Sequence, residues 1–477
     1  MTPRLRQVLQ GAVSTRTKAR IAILLLVGYS ACQTVAHTPT NPWLELESIL
    51  ARIQPPLFPA KDFVVTDFGA TGDGVTDCSE AFRKAIDECT QSGGGRVIVP
   101  KGEFLTGPIH LKSNVNLHVA EGAVIKFHPD PKRYLPLVFT RWEGVECMNY
   151  SPLIYAYDQI NIAVTGKGTL DGQASNEHWW PWKGNRDDGW KEGMPDQKVG
   201  RDSLFSMGQR GVPVDERRMG EGFYLRPSFV EPYRCRNVII DGIRIINSPM
   251  WEIHPVLSEN VTVMNVHIQT RGPNNDGCNP ESSRDVLIKD CFFDTGDDCI
   301  AIKSGRNNDG RRVNVPSENI VIQGCTFKDG HGGVTIGSEI SGGARNVFAE
   351  NCEFESPVLY SALRIKTNMM RGGTIENVHV RNINVGLVDR AVVDIDLYYE
   401  EGKNGTFLPT IRNISIERMT VTTCKTALNL VGYEEAPLQN IRLVDCDFRE
   451  VTKGYKIEHV GGLELVNTRI NGKEFKP

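Results

Sequence analysis

The sequence predicts an all-β protein with a single large domain, a parallel β-helix in which short strands and turns stack as coils of a solenoid. From about residue 235, a short alternating strand, a turn with Asn, Asp or Gly, and a second short strand recur every 23 to 36 residues. Periods of this size are typical of solenoids, and the lack of helical segments between the strands argues against leucine-rich or helical repeats. The copies are NVIIDGIRI (237–245), NVTVMNVHI (260–268), DVLIKDCFF (285–293), NIVIQGCTF (319–327), NVFAENCEF (346–354), NVHVRNINV (377–385), NISIERMTV (413–421) and NIRLVDCDF (440–448).

The seventh position of these repeats indicates what fills the interior of the coils. Cysteine alternates there with aliphatic residues, so we expect the thiols to form an internal ladder of small apolar side chains. A disulfide network is the alternative for a chain with 12 cysteines. The seventh residues are Ile243, Val266, Cys291, Cys325, Cys352, Ile383, Met419 and Cys446.

One amphipathic helix is predicted before the coils, within DCSEAFRKAIDECTQSGGG (77–95). Asp77 or Ser79 can cap its start, and the glycines 93–95 end it. Its apolar face predicts that it covers the open end of the solenoid core. That face consists of Phe82, Ala85, Ile86 and Cys89.

The first 36 residues are typical of a signal peptide, because basic residues precede the short apolar run IAILLLVG. The small residues before Cys32 resemble a lipoprotein cleavage box, so a membrane lipid anchor on Cys32 is one possibility. We therefore expect an exported protein, which is periplasmic, anchored in the outer membrane or extracellular. Residues 37–60 are predicted to be a linker, and residues 61–477 the β-helix domain.

The composition narrows the choice of partners. The net charge is −4 with 23% charged residues, which does not suit a nucleic-acid-binding protein. A solenoid also closes its core without a partner chain, so we expect a monomer.

A long insertion at about 173–230 interrupts the repeats and carries four of the seven tryptophans. It is predicted to be a surface loop, whose aromatic residues either stack on sugars or pack on one another.

Three polar segments fall where strands are predicted to meet turns, namely GPNNDGCNP (272–280), TGDDCIAIKSG (295–305) and KDGHGGVTIGS (328–338). A fourth, SALRIKT (361–367), adds two cations. Because successive coils lie about 5 Å apart, residues at the same point of the cross-section form a line along the surface. We therefore expect one groove to hold the charged residues of all four segments. These are Asp276, Asp297, Asp298, His331, Arg364 and Lys366.

Three neighbouring carboxylates suit either a calcium site or glycoside hydrolysis. Hydrolysis needs one protonated acid and one carboxylate that activates water, and crowding of like charges raises the pKa of one carboxyl group. A calcium site would gain nothing from an adjacent Arg and Lys. The sequence therefore favours catalysis on an anionic substrate, without a metal or cofactor, and the crowding predicts that one of the three carboxyl groups keeps its proton.

The four segments, in this order, resemble the signatures N-T-D, G-D-D, G-H-G and R-I-K of the polygalacturonase family, glycoside hydrolase family 28. They stand here as 274–276, 296–298, 330–332 and 364–366, and only Asn275 differs from the signatures. The resemblance extends over roughly residues 62–470. It implies a right-handed parallel β-helix and hydrolysis of α-1,4-linked galacturonate in pectic polysaccharides or oligogalacturonides, with inversion.

The resemblance also implies roles for individual residues. Asp297 is expected to be the general acid, Asp276 and Asp298 to hold and activate the water, and His331 to tune the acid. Arg364 and Lys366 match the residues that grip the substrate carboxylate. IDLYY (395–399) resembles a family segment whose final tyrosine contacts sugar, which indicates Tyr399, with Tyr398 as the alternative. Asn274 and Asn275 are expected to bind substrate, and NNDG followed by NP resembles the exo-acting members.

Other functions stay open from the sequence. Rhamnogalacturonan or xylogalacturonan is an alternative backbone for the same chemistry. A pectate lyase would use calcium and an arginine base on the same fold and would release unsaturated products. A non-catalytic glycan-binding β-helix is a third possibility.

Overall fold

The strands of the molecule stack into three parallel sheets, seen in a computed structural model that describes residues 41–477. Most coils contribute a strand to each sheet, and the coils form the right-handed parallel β-helix predicted from the sequence. Residues 42–477 form one compact unit. The predicted signal peptide and the possible lipid anchor on Cys32 lie outside the described residues.

The three sheets are named in the order in which the chain passes through them. The first sheet contains Asp62–Val64, Gly95–Val99, Val115–Val119, Ile160–Gly166, Arg236–Asp241, Glu259–Met264, Arg284–Lys289, Ser317–Gln323, Leu438–Val444 and Val460–Val466. The second contains Asp73–Asp77, Gly102–Thr106, Ala123–Phe127, Thr169–Asp171, Arg244–Ile246, His267–Thr270, Phe292–Thr295, Thr326–Asp329, Asp447–Val451 and Arg469–Ile470, which Lys473–Glu474 joins antiparallel. The third contains Ile109–His110, Ile154–Tyr157, Val230–Tyr233, Ile300–Ile302, Val334–Ile336, Leu363–Lys366 and Lys456–Glu458. Three long strands turn from one sheet into the next, Ala344–Phe354, Thr374–Asp396 and Thr410–Val431, and Val138–Trp142 pairs with Val145–Asn149 in a separate hairpin.

The asparagine that opens most repeats has a backbone reason to be there. Asn319, Asn346 and Asn377 all have φ between 56° and 58°, a left-handed conformation that Asn tolerates better than most residues. Their side chains continue the pattern of the coils, because Asn346 Nδ2 donates to Asn319 Oδ1 at 3.1 Å and Asn377 Nδ2 donates to Asn346 Oδ1 at 3.1 Å. The repeat therefore fixes both the turn and its alignment with the next coil.

Aromatic and thiol side chains fill the interior in layers. The ring of Phe327 stacks on Phe293 with centroids 5.5 Å apart and on Phe354 with centroids 4.4 Å apart. The eleven cysteines that the structure describes are all buried and free. The predicted internal ladder of thiols at the seventh repeat position is thus confirmed over disulfide pairing for these residues.

Within residues 41–477, four α-helices accompany the sheets. They are α1 (Trp43–Arg52), α2 (Ser79–Gln91), α3 (Lys198–Arg210) and α4 (Asn307–Val313), with short 3-10 turns at Val65–Phe68, Pro131–Tyr134, Trp180–Lys183, Arg186–Asp188 and Val214–Glu216. The predicted apolar face of α2 is buried in the main core beside the first coils. That α2 closes the end of the core stays a prediction.

The prediction of a linker at residues 37–60 is wrong for the stretch that forms α1. Trp43, Leu46 and Ile49 are buried against Val321 and Phe348 on the outside of the first sheet. The spacing of three residues between them places them on one helical face, which explains why this short segment folds. No helix among residues 41–477 is long and apolar enough to cross a membrane.

The insertion at 173–230 is more ordered than the predicted surface loop. It contains α3 and three 3-10 turns, and Leu204, Met219 and Leu225 form a small core with Trp142 and Trp251. Its tryptophans pack within the protein, since Trp179 is buried and Trp180 Nε1 donates to the carbonyl of Ser248 at 2.8 Å.

Candidate active site

The register of the third sheet brings the predicted carboxylates together. Cys278 forms a bridge with Ile300, so Asp276 and Asp298, each two residues earlier, occupy the same point of adjacent coils. Ile300 pairs with Val334 and Val334 with Leu363, which places the segments of His331 and Arg364 on the next two coils. Carboxylates and cations thus meet at the entry to the third sheet.

These side chains line one cavity of about 400 Å³. Of the nine predicted site residues, eight are found in its wall, namely Asn274, Asp276, Asp297, Asp298, His331, Arg364, Lys366 and Tyr399. None of the four insertion tryptophans lines it, so the structure favours packing of these tryptophans over stacking on sugars.

Asp298 is held as a buried carboxylate. It is 1% exposed and accepts hydrogen bonds from Lys366 Nζ at 2.6 Å and Thr335 Oγ1 at 3.1 Å. Burial would lower the pKa of Lys366, but the charge of Asp298 raises it above its ordinary value. Lys366, predicted to grip the substrate, therefore has Asp298 as its first partner.

Asp297 forms a pair with His331, whose Nδ1 lies 2.9 Å from Oδ1 of the carboxylate. Burial would raise the pKa of Asp297, but the hydrogen bond and charge of His331, with Lys366 and Lys303, lower it below its usual range. In turn, burial would lower the pKa of His331, and the Asp297 carboxylate raises it. The proton of this pair therefore resides on the imidazole.

Gly330 allows the loop that carries His331 to pack closely against the backbone of Asp297 and the side chain of Cys299. Its φ is 151°, and a Cβ there would lie 2.6 Å from the carbonyl oxygen of Asp297 and 2.9 Å from Sγ of Cys299. Only glycine fits such an approach, which explains the first glycine of the G-H-G segment.

Asp276 is the carboxyl group whose pKa is raised. It is 3% exposed, and burial together with the charges of Asp297 and Asp298 raises its pKa well above the ordinary value, although Lys303 Nζ lies 3.6 Å away. In the free enzyme the raised pKa thus belongs to Asp276 and the lowered pKa to Asp297, contrary to the expectation that Asp297, as general acid, keeps its proton. Asp297 faces an imidazolium, whereas Asp276 faces two carboxylates from a fully buried position.

Arg364 keeps donors available in the cavity. Its two carboxylate neighbours within residues 41–477, Asp298 and Asp394, lie at 3.8 Å and 3.6 Å, beyond ordinary hydrogen-bond length. The ring of Tyr399 lies beneath it, with the guanidinium carbon 5.6 Å from the ring centroid. Tyr398, the alternative sugar contact, does not line this cavity; it is 44% exposed and packs on Tyr433.

The prediction that Asn275 binds substrate is wrong. Asn275 is fully buried, and its amide donates to the carbonyls of Ser248 and Met250 while its oxygen accepts from Thr270 and from the Gly272 N–H. Its role is to shape the turn before Asp276. Asn274 does line the cavity, where its oxygen accepts from Lys183 Nζ and Arg226 Nη2, each at 2.8 Å.

The sequence analysis missed several charged and aromatic residues of the cavity. Lys303 lies in the same stretch as Asp298 and could have been found there; it pairs with Glu339 at 3.0 Å and lies over the ring of Trp251 at 4.5 Å. Of the others, Ser338 ends the segment 328–338, Arg306 directly follows 295–305, and the rest lie outside the four polar segments. The others are Glu143, Lys183, Arg201, Arg306, Ser338, Tyr360, Arg390 and Glu400.

A parallel β-helix with clustered carboxylates, a carboxylate–imidazole pair and an available guanidinium in one cleft has the site of a glycoside hydrolase. Sequence comparison agrees, because residues 220–463 match the profile of glycosyl hydrolases family 28 and residues 63–127 match that of rhamnogalacturonase A/epimerase, pectate lyase-like. The chain belongs to glycosyl hydrolases family 28.

Individual relatives are similar over most of the chain. A crystal structure of a hyperthermoactive exopolygalacturonase from Thermotoga maritima is 49% identical, with a TM-score of 0.88 over 91% of this chain and 97% of that one. A probable polygalacturonase from Vitis vinifera is 28% identical over 82% of this chain and 75% of its own length. An exo-poly-alpha-D-galacturonosidase from Dickeya chrysanthemi is 29% identical over 75% of this chain and 62% of its own length.

Proposed function

We propose that this chain hydrolyses α-1,4-linked galacturonic acid in pectic polysaccharides, with inversion at the anomeric carbon and release of terminal galacturonate. The observation that carries the proposal is the Asp297–His331 pair beside two carboxylates on adjacent coils, with the donors of Arg364 available for a substrate carboxylate. The named relatives support the substrate class.

Asp297 acts as the general acid in this proposal. The proton that His331 holds in the free enzyme crosses the 2.9 Å hydrogen bond, and Asp297 passes it to the glycosidic oxygen as the bond to the anomeric carbon breaks. A bound galacturonate brings a further negative charge into the cavity, which raises the proton affinity of the neighbouring carboxylate.

Asp276 and Asp298 hold the attacking water on the opposite side. Lys366 and Thr335 orient the Asp298 carboxylate, so it can accept a hydrogen bond from the water. Asp276, whose pKa is raised, is a strong base once it is ionised, and it takes the proton as the water oxygen bonds to the anomeric carbon. Direct attack by water gives inversion.

The insertion supports cleavage from the chain end. Lys183 and Arg201 come from it and line the same cavity as Asp276, and Arg201 Nε also donates to Glu143 Oε2 at 3.0 Å. Lys183 lies beside Asn274, on the coil of Asp276, and occupies space in which an endo-acting enzyme would need room for further sugars. Lys183, which is half-buried beside Asn274, has donors left for the terminal sugar.

Digestion of polygalacturonate tests the proposal, with products resolved by chain length during the first few per cent of the reaction. Galacturonate monomer from the first time point, without absorbance from unsaturated products, is expected. A ladder of oligomers would contradict the exo mode, and unsaturated products would contradict hydrolysis. Parallel digestion of rhamnogalacturonan and xylogalacturonan compares the alternative backbones.

The place of action is part of the proposal. The signal-peptide pattern in residues 1–36 and a polymeric substrate both favour export. Fractionation of cells that express the full chain, beside the variant Cys32→Ser, tests it. Membrane association that depends on Cys32 is expected for a lipid anchor, and soluble export of both forms would contradict the anchor.

A further inference from the structure

A β-bulge places an arginine at the edge of the active-site cavity. In the long strand Thr374–Asp396, the register with the following strand shifts between Val388 and Ala391. Bulges re-aim side chains and are frequent beside active sites. Arg390 lies in this bulge and lines the cavity.

Arg390 is fixed in position by a stack that reaches the catalytic pair. Its guanidinium carbon lies 3.6 Å from the centroid of the Tyr360 ring, and that ring stacks on the imidazole of His331 with centroids 4.6 Å apart and planes within 10°. Tyr360 thus fixes the guanidinium plane next to the site of bond cleavage.

Arg390 also differs from most cations of the cavity in having no acidic partner. Lys303 and Arg306 pair with Glu339, and Lys366 pairs with Asp298. Within residues 41–477, Arg390 makes no ion pair, and it is exposed at the mouth of the cavity. A guanidinium that is oriented but unpaired is suited to bind a carboxylate through two parallel N–H groups.

Charge indicates which way the substrate chain leaves the cavity. Lys183 fills the cavity beside Asn274, on the coil of Asp276, so the chain continues towards the later coils. One continuation there is a second hollow lined by Asp396, Lys456 and Glu458, in which Lys456 pairs with Glu458 at 3.2 Å; its acids outnumber its cation, so it does not favour an anionic polymer. The other continuation passes Arg390, whose positive charge is complementary to the carboxylates of galacturonate.

We propose that Arg390 binds the carboxylate of the third galacturonate from the non-reducing end, one sugar beyond the unit next to the cleaved bond. The inference rests on the proposed function and names an additional subsite for it. Arg390 is the residue that touches the substrate. Tyr360 is a positioning residue, because its ring contacts the guanidinium of Arg390 and the imidazole of His331.

The test compares digalacturonate, which cannot reach this subsite, with trigalacturonate, which can. For the wild-type enzyme, kcat/KM is expected to be higher for the trimer than for the dimer. Arg390→Gln should lower the trimer-to-dimer ratio of kcat/KM by about 5- to 10-fold, the size expected for a charge-assisted bond at a partly exposed site. Arg390→Lys keeps the charge but loses the two parallel N–H groups of the guanidinium, so its trimer-to-dimer ratio should lie between those of Arg390→Gln and the wild type.

Arg442→Gln is the matched control, because Arg442 pairs with Glu464 on a different sheet and does not line the cavity. An equal loss for dimer and trimer in Arg390→Gln would assign Arg390 to the support of His331 and overturn the subsite. An unchanged ratio in an active enzyme would also overturn it. A wild-type enzyme that cleaves neither oligomer would instead overturn the proposed function, and the subsite with it.

Discussion

The ammonium Nζ of Lys366 lies 2.6 Å from Oδ2 of Asp298, and the two residues are 6% and 1% exposed. A carboxylate buried this deeply is costly unless a charge and hydrogen bonds compensate it. Lys366 supplies both, and Thr335 supplies a second donor. The lysine thus compensates and orients the buried Asp298 carboxylate, a role distinct from the grip on substrate that the family resemblance implied.

Replacement of Lys366 by Met should therefore lower kcat by about 100-fold or more, because the buried Asp298 loses its charged hydrogen-bond partner and its fixed orientation. Initial rates on trigalacturonate at several substrate concentrations separate kcat from KM. Lys198→Met, which breaks an exposed pair with Asp202, removes the same charge without touching the site. A change confined to KM would show that Lys366 acts on substrate alone.

Asp297→Asn should lower kcat by roughly 10²- to 10⁴-fold, since the amide can still accept the hydrogen bond from His331 but cannot deliver a proton. Affinity for trigalacturonate, measured by calorimetry on the inactive variant, should change only a few-fold. Asp187→Asn, an exposed change in the insertion, is the control. An unchanged rate would contradict the role of Asp297 as acid.

His331→Gln should shift the alkaline limb of the pH profile of kcat/KM to lower pH. In the wild type the rate rises as Asp276 loses its proton through a raised pKa, and it falls as the His331–Asp297 pair loses its proton at higher pH. Without the imidazole, the alkaline limb reports the carboxyl group of Asp297 itself, whose pKa lies below that of His331. The alkaline limb should therefore move to lower pH, while a limb that stays in place would exclude His331 as the proton store.

The sequence allowed the coil architecture and the positions of Asp276, Asp298 and His331 to be predicted, because each depends on a repeat or on spacing between neighbouring coils. The protonation pattern could not be predicted from the sequence, since the pKa of Asp297 depends on His331, 34 residues away, whose Nδ1 lies 2.9 Å from Oδ1 of Asp297. Adjacent carboxylates suggested mutual repulsion, and the contacts to His331 and Lys366 decided otherwise.

The buried role of Asn275 and the position of Arg390 were also not predictable. Asn275 sits among charged residues in sequence, yet its amide is satisfied by backbone groups of Ser248 and Met250, a coil earlier. Arg390 depends on a bulge, and no residue type near position 390 signals one. The helix α1 was not predicted because its stability comes from packing on Val321 and Phe348, which are distant in the sequence.

Phe327 provides a test of the interior stack. Phe327→Ala removes the ring between Phe293 and Phe354 and should lower the free energy of unfolding by about 3–5 kcal/mol, through lost burial and the cavity left behind. Urea unfolding followed by tryptophan fluorescence measures the change. Leu57→Ala, at a side chain that is 92% exposed, should leave the midpoint nearly unchanged. A small effect for Phe327 would mean that the neighbouring coils collapse into the space.

A second histidine gives stability a pH dependence that is separate from catalysis. His254 is fully buried, with Nε2 2.8 Å from Glu281 Oε2 and Nδ1 3.4 Å from Glu231 Oε2. Burial would lower its pKa, but hydrogen bonds and charges of Glu231 and Glu281 raise it above the ordinary value. A group whose pKa is higher in the folded state stabilises the fold most below its unfolded pKa of about 6.5, and this stabilisation is lost as pH rises through the folded value.

His254→Gln should therefore cost most stability at low pH. The difference in Tm between the wild type and this variant is expected to be largest below about pH 6.5 and to shrink at higher pH, as the wild-type imidazole loses its proton between the two glutamates. Melting curves at matched ionic strength over this range measure it, with His459→Gln as a control outside the buried site. A difference that is constant with pH would mean that His254 stays in one protonation state, and that its contribution is packing and hydrogen bonding alone.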